Sequence, residues 1–117
     1  MVPSKTVGVV GFEPAIQGPL ESLLSSEPHL SVVRFPHNWS PGVSAAFVTE
    51  PIHFLILSPP TPEWVDRIHA QFPSACLLAM VEWHRREQFR LAPIQDYFER
   101  FQSYQGVLEL LRKHYQD

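Results

Sequence analysis

Three short apolar runs constrain this chain most, because each has the length and composition of a strand buried on both faces of a sheet. They are Val7–Val10, His53–Leu57 and Cys76–Val81. The first runs into Gly11-Phe12-Glu13-Pro14 and the second into Ser58-Pro59-Pro60. In open α/β sheets, ligands bind beyond the carboxyl ends of the strands. Almost no side chain suited to catalysis stands there, which suggests an active-site scaffold whose active site has been replaced.

Segments with helical periodicity separate these runs. Apolar residues at three- and four-residue intervals predict a helix after the first run, with Pro19 disturbing its early part. The apolar face of this helix consists of Ile16, Leu20, Leu23 and Leu24. Ser40-Pro41 predicts the start of a short helix through Val48, and Thr61-Pro62 the start of another that ends before Pro73. Trp83–Leu91 predicts a polar, arginine-rich helix, and Ser103 is expected to cap a final one.

Two further strands, Leu30–Phe35 and Ile94–Phe98, complete the pattern. Five strands alternating with helices in 117 residues predict one α/β domain, with a parallel five-stranded sheet and helices on both faces. Right-handed crossovers and this length favour a flavodoxin-like (βα)5 three-layer sandwich with strand order 2-1-3-4-5. We expect the single domain to occupy residues 1–117.

Charge, hydropathy and cysteine content narrow the class of protein. The formal net charge of −3 argues against direct nucleic-acid binding by this domain. No apolar stretch approaches the roughly 20 residues that span a bilayer, and Met1–Lys5 carries no apolar signal region. The lone Cys76 lies inside an apolar run, where a buried thiol is expected. These features predict a cytoplasmic protein without membrane contact.

Three segments, in order along the chain, resemble the receiver domain of response regulators. Val7–Pro14 resembles the receiver opening, in which two aspartates, a glutamate and a proline follow an apolar strand. Ser58–Pro62 resembles the segment in which a proline follows the phosphorylated aspartate by four residues. Asp96–Ser103 resembles the fifth-strand segment that carries an aromatic residue, a lysine and a helix cap. The resemblance covers nearly the whole chain and implies the receiver fold.

The departures from the receiver pattern fall on the residues that carry its chemistry. Gly11 and Phe12 stand where receivers hold Mg²⁺ with an acidic pair, and Ser58 stands at the phosphoacceptor position. Ala79 or Met80 takes the place of the hydroxyl residue, and Arg100 that of the lysine. The degenerate phosphorylation pocket that this comparison implies comprises Gly11, Phe12, Glu13, Ser58, Met80 and Arg100. The resemblance is therefore to pseudo-receivers, which implies a regulatory domain without catalysis, bound metal or cofactor.

An aromatic and basic surface is the best candidate for a functional contact. In the receiver fold, the fourth helix, fifth strand and fifth helix share one face, which receivers commonly use for partner docking and dimerisation. The candidate interface residues on that face are Trp83, Arg86, Tyr97, Arg100, Phe101 and Tyr104. The predicted partner is another protein or a second copy of the chain. The alternative is that Tyr97 and Phe101 belong to the core and that the arginines are solvated.

The polar end His114–Asp117 leaves open whether an output domain is fused after residue 117.

Two other classes of function stay open from the sequence. A small-ligand sensor would bind at the carboxyl ends of the strands, near Gly11, Phe12, Ser58 and Met80. An enzyme of flavodoxin-like fold lacks support, since Ser58 has no nucleophile elbow around it. The six histidines show no two-ligand helical spacing, and His53, inside an apolar run, is expected to be an interior side chain with its hydrogen bonds satisfied.

Overall fold

The computed structural model describes residues 4–99 and 104–115, with Tyr115 described by its backbone alone. Five parallel strands form one sheet in the order β2-β1-β3-β4-β5. The strands are β1 (Lys5–Val10), β2 (Leu30–Val33), β3 (Phe54–Leu57), β4 (Cys76–Met80) and β5 (Asp96–Phe98). The predicted flavodoxin-like sheet and its strand order are thus confirmed.

Within the described ranges, three helices connect strands and a fourth follows the last strand. They are α1 (Pro14–Ser25), α2 (Pro62–Gln71), the 3₁₀ helix Trp83–Phe89 and α3 (Tyr104–Tyr115). Thr61 caps α2 as predicted, because its hydroxyl accepts a hydrogen bond from the backbone N–H of Trp64 at 3.2 Å. Pro19 lies inside α1, and the predicted cap Ser103 lies outside the described residues. None of the helices in these ranges has the length and apolar content to cross a bilayer.

The alternation of side chains along the strands builds one apolar core on each face of the sheet. Val7 and Val9 point to the face covered by α1 and α3, and Ile56 of β3 points the same way. Leu55 and Leu57 point to the opposite face, which α2, the 3₁₀ helix and residues 34–53 cover. Every one of these strand side chains is fully buried, so the three layers predicted from the sequence are present.

The helix predicted from Ser40 to Val48 is wrong. This stretch consists of turns, in which Val43 N–H donates to Ser40 C=O and Val48 N–H donates to Ala45 C=O. Gly42 lies within the first of these turns at a φ of 95°, a conformation outside the right-handed helix. Ala45 and Val48 pack against the core on this face of the sheet, and Phe47 packs edge-on against Phe35 with a centroid distance of 5.2 Å.

The segment predicted as an α-helix from Trp83 to Leu91 is a 3₁₀ helix that ends at Phe89. Its backbone bonds run to the third residue back, as in Arg85 N–H to Glu82 C=O at 2.8 Å. The next strand starts later than predicted, because Ile94 N–H donates to Ala92 C=O in a tight turn before β5. The second strand is also shorter than predicted, since its pairing with β1 stops at Val33.

Candidate functional site

The crevice between the ends of β1 and β3, where the strand order reverses, is filled by backbone and an indole ring. Gly11 ends β1 with a φ of 92°, and Ser58 ends β3 with its N–H bonded to Val10 C=O. A Cβ placed on Gly11 would lie 2.8 Å from Ser58 C=O and 3.2 Å from Cη2 of Trp64. Glycine is therefore required here on two grounds, its left-handed backbone and the absence of room for any side chain. The position that aligns with a metal-binding carboxylate has no space for one.

Phe12 and Met80 lie together on the α1–α3 side of the same sheet edge. The Phe12 side chain is buried in the apolar core beneath α1, and the Met80 side chain packs against that core. Both line a cavity of about 90 Å³ that Phe98 and Tyr104 also border. The lining is mainly apolar, and Glu99 is the one acidic residue that borders it, so this cavity does not offer the set of oxygen ligands that Mg²⁺ prefers.

Glu13, Ser58 and Arg100 complete the set of predicted pocket residues. Glu13 is exposed and takes the N-cap position of α1 without a side-chain capping bond. Ser58 is half-buried and precedes a buried Pro59, as a strand-ending turn residue would. Arg100 lies outside the described residues. Within the described ranges, no three His, Cys, Asp or Glu side chains lie close enough together to hold a metal ion.

Two interior groups from the sequence have structural partners. The Nδ1 atom of His53 accepts a hydrogen bond from the backbone N–H of Thr6 at 2.9 Å, which means that this nitrogen carries no proton. His53, the residue before β3, is thus hydrogen-bonded to β1, as expected for a histidine whose hydrogen bonds are satisfied within the protein. Cys76 is half-buried, and burial together with the nearby Asp96 carboxylate raises the pKa of its thiol. A raised pKa lowers the thiolate fraction, so Cys76 is unsuited to nucleophilic chemistry.

Arg86 organises the aromatic surface that the sequence predicted. Its guanidinium lies over the ring of Trp83 at 5.4 Å and over the ring of Tyr97 at 5.3 Å. It also contacts a carboxylate oxygen of Glu99 at 3.5 Å, and its Nε donates to Val81 C=O at 3.4 Å. The contacts of Arg86 with Tyr97 and Glu99 thus join the 3₁₀ helix to β5 and to the residue that follows it, whereas its contact with Trp83 lies within the helix.

The two rings on either side of Arg86 differ in exposure. Tyr97 is half-buried, and its hydroxyl donates to Phe89 C=O at 3.1 Å. Burial raises the pKa of Tyr97, although the Arg86 charge opposes this shift, so the phenol stays protonated at neutral pH. Trp83 is 75% exposed, and Leu91, which lies two residues after the end of the 3₁₀ helix, is 89% exposed.

The other predicted interface residues extend this surface less clearly. Tyr104 is exposed at the start of α3 and borders the cavity beside Phe12, and Phe101 lies outside the described residues. The sequence placed Leu91 at the end of the predicted polar helix and did not single it out as exposed. It also did not point to Trp64 in the crevice or to the buried Gln17.

Gln17 belongs to a second hollow at this sheet edge, which shares Gly11 and Phe12 with the ligand rim suggested by the sequence. The hollow has a volume of about 140 Å³ and lies beyond β1 on the β2 side. Gln17, Phe35, His37 and Trp39 also line it, and the sequence did not point to these four. The available signal was a spacing: Gln17, Leu20, Glu21 and Leu24 recur as one helical stripe, and all four are buried.

Comparison with known proteins gives structural matches alone. No family model matches the chain, and no curated protein matches it. The receiver domain of the sensor histidine kinase PA1611 from Pseudomonas aeruginosa superposes with a TM-score of 0.72 at 15% identity, covering 97% of this chain and 99% of that one. A response regulator from Thermotoga maritima gives 0.70 at 18% identity, with the same coverage. A putative pilus assembly protein, CpaE, from Burkholderia thailandensis gives 0.73 at 9% identity, again with 97% and 99% coverage. The chain therefore has the receiver fold.

Proposed function

We propose that this domain is a phosphorylation-independent pseudo-receiver, a non-catalytic module that regulates bacterial signal transduction or transcription through protein contacts. The observation that carries the proposal is the closed crevice at Gly11. A carboxylate there would collide with Ser58 C=O and Trp64, so the position has lost both its ligand and the space for one. Aspartyl phosphoryl transfer depends on positioned metal and charge, and the crowding at Gly11 supports the view that this domain does not use that chemistry.

The structural neighbours support the regulatory part of the proposal. Response regulators and receiver domains recur among them, and the description of the PA1611 receiver domain includes a magnesium ion coordinated in its active-site cleft. In this chain Phe12 and Met80 place apolar side chains where the coordination of magnesium would need oxygen ligands. A cytoplasmic location fits this class of domain and is part of the same proposal.

The surface around Arg86 supports the protein-contact part. Trp83 is held by a cation–π contact on one side and faces solvent on the other, so a partner would cover it without first ordering it. Tryptophan and arginine are among the residue types that dominate binding hot spots. The partner would be another protein or a second copy of this chain.

Trp64 offers a direct test of phosphorylation independence, because its indole touches Gly11 in the crevice. The protein would be titrated with Mg²⁺ and beryllofluoride, and separately with Mg²⁺ and acetyl phosphate. Fluorescence of a variant that keeps Trp64 as its only tryptophan (Trp39→Phe, Trp83→Phe) would report on the crevice. We expect no saturable change and no phosphorylated species by mass spectrometry. A saturable response, or a phosphorylated Ser58, would overturn the proposal.

Sedimentation of the isolated protein tests the contact surface. If a second copy is the partner, Trp83→Ala will shift the protein from dimer to monomer, and the matched variant Gln88→Ala on the same helix will leave the dimer intact. If the wild-type protein is a monomer, the partner is a different protein. A dimer that survives Trp83→Ala and Arg86→Ala together would assign self-association to another face.

A small-ligand sensor is the second candidate, favoured by the hollow beyond β1. That hollow lies at the sheet edge where α/β proteins bind ligands, but on the β2 side of the closed crevice. Its chemistry is specific enough to argue separately.

A further inference from the structure

The hollow beyond β1 has the dimensions of a site for one small ring. Its volume is about 140 Å³, and polar atoms form most of its lining. A cavity of about 150 Å³ accommodates benzene when the walls are apolar. Polar walls at the same volume require a ring that can form hydrogen bonds, or a group of ordered waters.

Gln17 supplies a specific hydrogen-bonding group to this hollow. It is 3% exposed and comes from the buried face of α1. Its Nε2 donates to Phe35 C=O at 3.1 Å, which fixes the plane of the carboxamide. Within residues 4–99 and 104–115, its Oε1 accepts no hydrogen bond. One acceptor and one remaining N–H of a fixed carboxamide are therefore available to a ligand.

The aromatic wall of the hollow is rigid. Trp39 is buried, and its Nε1 donates to Ser44 C=O at 3.2 Å, which fixes the indole. Phe35 packs edge-on against Trp39 with a centroid distance of 4.9 Å. Phe35 also packs over Gly8, where an added Cβ would lie 2.6 Å from Cε1 of the ring. The wall is thus held in place before any ligand binds, which limits the ordering cost of binding.

His37 stands at the exposed border of the hollow. Its imidazole is solvent-exposed and bonds to no other group in the described part of the chain. It can therefore turn toward a bound molecule as donor or acceptor. The hollow combines a fixed carboxamide, two aromatic side chains packed edge-on against each other and an imidazole without a bonding partner in the described ranges.

We propose that this hollow binds a planar heterocycle of about six ring atoms that carries a cyclic amide edge. The carboxamide of Gln17 would pair with the adjacent N–H and C=O of that edge, as glutamine pairs with a donor–acceptor pair on a nucleobase. Trp39 would contact the plane of the ring, and His37 would bond to its outer edge. The site would make the domain responsive to a small metabolite of this class. This proposed site does not depend on the contact surface at Trp83.

Nuclear magnetic resonance titration with defined probes tests the site. The probes are 2-pyridone and uracil, both with the amide edge. The controls are benzene, which has the ring without the edge, and 1-methyl-2-pyridone, in which a methyl group replaces the donor. We expect saturable shifts at the Gln17 side-chain amide and the Trp39 indole N–H with the first pair only. Uridine in a parallel titration distinguishes a free heterocycle from the base of a nucleoside.

Variants separate recognition from simple occupancy. Gln17→Met keeps the length of the side chain and removes both hydrogen-bonding groups, so affinity for 2-pyridone should fall on the order of tenfold or more. Gln88→Met, exposed on the 3₁₀ helix, is the matched control and should leave affinity unchanged. Should Gln17→Met fail to fold, His37→Trp from the exposed border should reduce binding by obstructing the entrance. Equal binding of benzene, binding unaffected by Gln17→Met in folded protein, or no shift at about 10 mM probe would overturn the proposal.

Discussion

The crevice between β1 and β3 and the surface around Arg86 are built in opposite ways. In the crevice, backbone and carbon atoms leave no room at Gly11, and the neighbouring Phe12 is buried. Around Arg86, a cation holds two rings through contacts that remain partly solvated, and Trp83 stays 75% exposed. Side chains in the first region are fixed by packing, so small changes there have large effects on stability. Side chains on the surface around Arg86 can change with little effect on the free energy of unfolding, so they are available for binding.

Replacing Phe12 by aspartate, which restores an acidic residue, should cause the largest loss of stability. The change removes a buried ring from the α1–α3 core and leaves a carboxylate among apolar side chains. Together these should lower the free energy of unfolding by more than about 4 kcal/mol, measured by urea denaturation. Phe12→Leu, which keeps the site apolar, should cost about 1.5 kcal/mol. A stable Phe12→Asp protein that binds Mg²⁺ would show that the crevice is not closed.

The two glycines with positive φ allow a matched test of crowding in the crevice. Gly11 and Gly42 have φ values of 92° and 95°, yet a Cβ on Gly42 would meet nothing within 4 Å. Gly42→Ala should therefore cost only the backbone strain, about 1 kcal/mol. Gly11→Ala adds the collision with Ser58 C=O and should cost about 3 kcal/mol. Equal losses in the two variants would show that Ser58 and Trp64 yield easily.

The strands and most of the helices could be predicted because their signals are local. Uninterrupted apolar runs fixed β3 and β4, and Thr61-Pro62 fixed the start of α2. The helix predicted from Ser40 to Val48 was wrong because the capping signal is local, whereas the conformation of this segment depends on hydrogen bonds to a residue far along the chain. Gln71 of α2 bonds to Gly42 N–H at 3.2 Å and to Val43 C=O at 2.9 Å, which holds this stretch as turns.

The candidate site was only partly predictable for the same reason. Sequence order brought Gly11, Phe12, Ser58 and Met80 to one sheet edge, because parallel strands end together. It could not show that Trp64 fills the crevice, since an aromatic residue in the first turn of a helix has several possible directions. The helical stripe of α1 carried a signal for the burial of Gln17, but the sequence could not show its hydrogen-bond partner, which is a backbone carbonyl 18 residues away.

Arg86→Ala should have a moderate effect, smaller than either change in the crevice. It removes two cation–π contacts of about 0.5–1 kcal/mol each and a half-exposed ion pair that adds little. We expect a loss of about 1–2 kcal/mol in urea denaturation. Arg86→Lys should recover only part of this stability, since the ammonium keeps the charge but cannot contact two rings as a planar guanidinium does. Arg90→Ala, which breaks an exposed Arg90–Glu87 pair, is the control and should change stability by less than about 0.5 kcal/mol.

The smallest effect should come from Asp96, which anchors the strand that carries Tyr97. Its carboxylate accepts a hydrogen bond from Tyr97 N–H at 2.9 Å and lies 3.2 Å from Nε2 of His114 and 3.6 Å from Nζ of Lys113. Burial alone would raise the pKa of Asp96, but these hydrogen bonds and charges outweigh it and lower the pKa.

A carboxyl group with a lower pKa in the folded than in the unfolded state stabilises the fold above the unfolded value, about pH 3.9. That contribution is lost as pH falls through the folded pKa, because protonation then removes the charge that His114 and Lys113 contact. Urea denaturation at stepped pH values from 7 down to about 2 should show the loss in wild type and a smaller one in Asp96→Asn. Asp66→Asn, exposed on α2, is the control and should keep the wild-type profile. If Asp96→Asn lost stability in acid as wild type does, the anchoring of β5 to α3 would have to come from packing, and the Arg86 surface would rest on apolar contacts at both ends of its strand.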